Sequence, residues 1–100
     1  MTIREIREGS TLTIMMDGRL DVLTTPEFEK FLESGLDGVT DFIIDVKDLE
    51  YISSAGLREM LTAQQIMDER GSMKIVNMSE IVKEIFEETG FSDFMDIEDL

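Results

Sequence analysis

From Asp41 to Gly90 short apolar runs alternate with stretches whose apolar residues recur at helical spacing, and this order leaves few folds open. The run Asp41 to Val46, DFIIDV, is rich in β-branched and aromatic residues and bounded by acids, as a covered central strand is. After it Leu57, Met60, Leu61, Ala63 and Met67 share one broad helical face, with Ile66 off that face, until Arg70 and Gly71 close the segment. SMKIVN reads as another strand. A third helix follows with Ser79 as N-cap, Ile81, Val82, Ile85 and Phe86 directed inward, and Gly90 at its end. Strands separated by single helices pair parallel, through right-handed crossovers.

The chain before Asp41 differs. Apolar and polar residues alternate with Ile3 and Ile6 in one run and Leu12 and Ile14 in the next, and Glu8, Gly9 and Ser10 make the turn of an antiparallel hairpin. Pro26 suits a first helical position behind an N-cap at Thr25, and Phe28, Phe31, Leu32 and Leu36 follow at helical spacing. A capping box of Thr24 with Glu27 would start that helix one residue earlier. The tail FSDFMDIEDL, with Phe91, Phe94, Met95 and Ile97, reads as a short edge strand or a docked segment. The expected fold class is therefore α/β, a mixed sheet that opens with an antiparallel hairpin, continues in parallel strands and is packed with α-helices. At 100 residues and 42% hydrophobic, residues 1–100 fit one domain that buries about 60 to 70% of its unfolded surface.

Charge narrows the partners. Nine basic against twenty-three acidic residues give a net charge of -14, which repels nucleic acid and anionic lipid and suits a basic protein surface. The chain has no cysteine and no histidine, so disulfides, thiolate or imidazole metal sites, Ser-His catalysis and histidine phosphorelay are all excluded. No apolar run approaches the roughly 20 residues of a membrane span, and the opening MTIREIREGS lacks the apolar core of a signal peptide. The expected compartment is the cytoplasm. The acids from Asp93 to Asp99 lack the glycine and ligand spacing of a calcium loop, and the eight methionines read as core filler.

The segment YISSAGLRE places Ser53 and Ser54 between an apolar run and a helix. One serine suffices as an N-cap. A nucleophile elbow would need G-x-S-x-G and a base, whereas the chain has I-S-S-A-G, no imidazole, and a nearest lysine, Lys47, set among Asp45, Asp48 and Glu50, which favour its charged form. A phosphoryl acceptor fits better, because unpaired N–H groups and the positive end of the dipole at a helix N-terminus tolerate a dianion. Neither a Walker-type phosphate loop nor G-x-G-x-x-G occurs, so a nucleotide-binding domain or a small hydrolase finds no motif here.

The order of Gly18-Arg-Leu-Asp21, Thr24-Thr-Pro-Glu27, an apolar strand ending in Asp45, Ser53-Ser-Ala-Gly-Leu57 and Thr89-Gly-Phe91 resembles the STAS domain of anti-sigma factor antagonists over nearly the whole chain. That resemblance implies a mixed sheet with helices, no catalytic activity and no cofactor. It implies binding to an anti-sigma factor serine kinase, ended by phosphorylation of one serine at the start of the second helix and restored by a serine phosphatase. The serine two residues before the Gly-Leu pair is Ser54; Ser53, standing where many relatives carry aspartate, is the alternative acceptor. Asp21 matches the family's acidic residue before the first helix. The expected contact surface is a loop from Asp48 through Gly56, including Tyr51 and both serines, with Arg58, Glu59 and Thr62 on the following helix and the turn at Asp21. A STAS subunit of another regulatory or transport assembly, never phosphorylated, is the alternative.

Overall fold

A computed structural model describes residues 1–98. Its elements are β1 (Thr2–Glu8), β2 (Thr11–Leu20), α1 (Thr25–Ser34), β3 (Asp41–Ile52), α2 (Ser54–Asp68), β4 (Ser72–Val76), α3 (Glu80–Thr89), a 3-10 turn (Phe91–Phe94) and β5 (Ile97–Glu98). The strands form one sheet in the order β1-β2-β3-β4-β5, antiparallel between β1 and β2 and parallel elsewhere. Each parallel neighbour is reached through a helix, as the alternating pattern requires. The tail supplies an edge strand, and Asp99 and Leu100 lie outside the described residues.

Register puts one face of the sheet under the helices. Leu12 opposes Phe42 and Ile14 opposes Ile44, which in turn oppose Met73 and Ile75, and all six are buried. Phe28 and Leu32 of α1, Leu57, Met60 and Met67 of α2, and Val82 and Phe86 of α3 complete the same cluster. The other face carries half-buried Thr13, Met15, Ile43 and Lys74. Among the described residues no helix is long and apolar enough to cross a membrane.

Three expectations need correction. Ile3 and Ile6, an odd number of residues apart, point to opposite faces; Ile3 opposes buried Met16, whereas Ile6 opposes Thr13 and is 52% exposed. Ile81 is also exposed, because α3 centres its inward stripe on Val82 and Phe86, and Ile81 lies about 100° around the helix from Val82. Ile66, by contrast, packs half-buried against the core. The third correction concerns β3, which does not stop at Val46. It continues to Ile52 along β2, with irregularities between Met15 and Asp17 and between Gly18 and Arg19. These shift the side-chain alternation, so buried Leu49 and Ile52 stand three residues apart and show no period of two.

Candidate functional site

The long β3 carries the serines to the end of the sheet. Leu20 opposes Ile52, and the Leu20 carbonyl accepts the Ser53 N–H at 2.9 Å, so β2 and the head of α2 meet. Gly56 makes this approach possible: a Cβ there would stand 2.9 Å from Leu20 Cγ, Leu20 O and Ile52 Cγ1. Gly56 is thus buried beneath the helix head and works through close packing, without presenting a surface of its own.

Both serines sit where backbone chemistry separates their roles. Ser53, extended at φ -89 and ψ 174, is the N-cap, and its Oγ accepts the Gly56 N–H at 3.3 Å. Ser54 is the first residue of α2, is exposed, and its hydroxyl has no hydrogen-bond partner among the described residues. Ser53→Ala is therefore expected to cost about 1 kcal/mol by removing a cap, whereas Ser54→Ala is expected to stay within about 0.5 kcal/mol of the parent, as exposed unpartnered sites do. Urea denaturation of the two variants measures the difference; equal losses would contradict the division of roles.

The chain leaves β2 through a turn beside this helix head. Asp21 Oδ1 accepts the N–H groups of Leu23 at 3.0 Å and Thr24 at 3.2 Å, the side-chain turn expected of aspartate. Thr24 is the N-cap of α1 by position, but its hydroxyl donates to the Arg19 carbonyl at 2.7 Å and accepts the Asp21 N–H at 2.9 Å, so no capping box with Glu27 forms. Arg19 reaches Asp21 at 3.8 Å and lies over the Tyr51 ring, 4.6 Å from its centroid. The turn lifts Val22 and Leu23 into solvent at 72% and 84% exposure. Sequence reasoning passed over this pair; the available signal was two adjacent apolar residues between Asp21 and Thr24, outside both the strand and the helix period.

Partial burial works to raise the Asp21 carboxyl, but the Leu23 and Thr24 N–H groups and the Arg19 charge outweigh it and hold the group below its ordinary value of 3.8. A depressed folded-state value means that the carboxylate supports the turn above pH 3.8 and loses that role as pH falls through the lower folded value. An NMR titration is expected to place the Asp21 midpoint below 3.8, with the Leu23 and Thr24 amides moving together with it. A midpoint at or above 3.8 would contradict the geometry of the turn.

The remaining residues divide. Tyr51, half-buried under Arg19, belongs with the Asp21 turn and the serines, and Arg58 and Thr62 are exposed farther along α2, the Thr62 hydroxyl donating to the Arg58 carbonyl at 3.1 Å. Glu59 is only half-exposed; burial and the Glu29 carboxylate push its carboxyl up, which marks the side of α2 turned to α1. Asp48 lies not in a loop but on β3 opposite Asp17, in an open groove with Lys47, Glu50, Ser79 and Ile81 near the start of α3.

Known proteins share this fold. The profile of the STAS domain matches residues 3–99. A Bacillus subtilis protein named anti-sigma-B factor antagonist is 30% identical over 87 residues, covering 86% of this chain and 80% of its own length. The crystal structure of an anti-sigma factor antagonist from Mycobacterium paratuberculosis has a TM-score of 0.87 at 16% identity over 96% of this chain and 83% of that one. SpoIIAA, a Bacillus cell fate determinant solved in its phosphorylated form, has a TM-score of 0.68 at 18% identity over 99% of this chain and 91% of that one. By sequence along nearly its whole length, and by a mixed sheet that runs from an antiparallel hairpin into parallel strands, this protein belongs to the STAS domain family.

Proposed function

We propose that the protein is a cytoplasmic anti-sigma factor antagonist, a binding module that captures an anti-sigma factor serine kinase and so releases a sigma factor. In this reading the kinase transfers the γ-phosphoryl group of ATP to the Ser54 oxygen, the complex dissociates, and a serine phosphatase restores the hydroxyl. One observation carries it: at the head of α2, Ser53 holds the cap and leaves the Ser54 hydroxyl exposed and, among the described residues, without a hydrogen-bond partner. Exposed Val22 and Leu23 on the adjoining turn supply the apolar anchor that a protein interface needs, and Asp21, Tyr51, Arg58 and Thr62 form its polar rim. A net charge of -14 suits a kinase with a basic docking face.

Incubation with ATP and a cognate anti-sigma factor kinase, followed by mass spectrometry, tests the assignment. A single phosphate is expected on Ser54, lost in Ser54→Ala and kept in Ser53→Ala. No label on either serine would favour a STAS subunit of another regulatory or transport assembly.

A further inference from the structure

The outer edge of β1 has no strand beside it among the described residues, since β1 pairs only with β2. Its turn is Gly9-Ser10, with Glu8 opposite Thr11 and Gly9 at φ 61. In a hairpin with a two-residue loop the closing residues exchange both backbone hydrogen bonds. Alternation then turns the even-numbered backbone groups of β1 toward β2 and leaves the N–H and C=O groups of Ile3, Glu5 and Arg7 facing outward. Such a row is a template for another strand, which proteins ordinarily blunt with charged side chains, proline, bulges or a covering element.

This edge does not carry like charges. Its sequence, TIREIRE, balances Arg4 and Arg7 against Glu5 and Glu8, a neutral strip on a chain of net charge -14. Set antiparallel against its own copy about Ile6, the strand places Arg4 opposite Glu8, Glu5 opposite Arg7 and Ile6 opposite Ile6, every ion pair occurring twice by symmetry. The outward-facing residues allow pairing only of odd with odd. Moving the centre to Glu5 or to Arg7 brings two like charges face to face, so the register about Ile6 is the favoured one. Arg4, Ile6 and Glu8 are exposed and lie together on the sheet face away from the helices. Arg7 is held at the edge by donating to the carbonyls of Gly35 at 2.8 Å and Asp37 at 3.1 Å.

We propose that β1 is a self-association edge, through which two copies of this chain pair antiparallel about Ile6 and join their sheets into one. Helices of both copies then lie on the same face of the joined sheet, and the two Ser54 residues lie at opposite ends of the strands, both open to a partner. A single strand pair buries far less than the roughly 1,600 Å² of a standard interface, so the dimer is weak, with a dissociation constant of roughly 100 µM. This inference does not rest on the role of Ser54.

Sedimentation equilibrium from about 20 µM to about 1 mM, a range that brackets such a constant, is expected to show the parent chain passing from monomer toward dimer. Arg4→Glu and Glu8→Arg each put like charges at two symmetry-related pairs, and each is expected to weaken association at least about tenfold. An equimolar mixture of these two variants, in which opposite charges face each other again, is expected to recover parental association, as is the double variant. A parent chain that stays monomeric at the highest concentration, single variants that associate as well as the parent, or a mixture that shows no recovery would each overturn the proposal.

Discussion

Phosphorylation of Ser54 is expected to weaken binding to the anti-sigma factor kinase at least about 100-fold, equivalent to about 2.7 kcal/mol, while leaving the domain folded. The modification adds a charge of about -1.5 to -2, on an exposed side chain that already sits in a chain of net charge -14. A partner docked flush against α2 would have to strip water from a dianion at a position shaped for a neutral hydroxyl, and desolvating a charge costs far more than the loss of one hydrogen bond. Nothing comparable opposes it in the free protein, where Ser54 stands at the first position of α2 and faces solvent. The positive end of the helix dipole even favours the phosphate by about 0.3 to 1 kcal/mol. Calorimetric titration should therefore show the loss of affinity while thermal melting shows a shift of only a few degrees, since about 1 kcal/mol moves a domain of this size by about 4 to 8 °C. Ser54→Asp should weaken the complex less than phosphate does, and Ser54→Ala should bind but fail to switch. Unchanged affinity of the phosphorylated chain would contradict the mechanism.

Gly71→Ala is expected to do the reverse, damaging the fold while sparing the site. Gly71 lies between α2 and β4, and a Cβ there would stand 2.0 Å from the Thr40 carbonyl oxygen. That oxygen also accepts the Ser72 N–H at 2.8 Å, at the start of the register in which Asp41 opposes Ser72. The clash is with backbone on both sides, so relief requires moving β4 against β3 and straining that hydrogen bond. A backbone clash of this kind costs about 1 to 3 kcal/mol, and a weakened backbone hydrogen bond adds about 1 kcal/mol. A fall in melting temperature of about 10 to 20 °C follows. Because β3 begins beside Ser72 and ends beside Ser53, the change is at the far end of the strand from Ser54. Kinase binding at low temperature should be unaltered. A melting temperature within about 3 °C of the parent would show that the approach of Gly71 to Thr40 is looser than the structure describes.

Features set by neighbours in sequence were legible without coordinates. Three helices, the hairpin and the caps at Ser79 and Gly90 all followed from apolar spacing and turn chemistry, and each lies within a residue or two of its expected place. The serine pair was legible too, although not which serine capped: both Ser53 and Ser54 have the chemistry, and only the start of α2 at Ser54 assigns the cap to Ser53. Thr24 illustrates the opposite case. Its spacing to Glu27 fits a capping box, yet the returning end of β2 offers the Arg19 carbonyl to the same hydroxyl, and that contact wins.

By itself, the sequence determined the order of elements, the main inward stripe of each helix, though not the places of Ile66 and Ile81 at its margins, and the segment that holds the candidate site, because these depend on contacts between residues two to four apart. Tertiary structure alone decided that β3 runs on to Ile52, that Gly56 is wedged against Leu20, that Asp48 stands apart from the serines, and that Val22 and Leu23 are left in solvent. Each of these outcomes is a matter of strand register and of which element covers which, and pairing between distant parts of the chain leaves no periodic trace in the residues that take part.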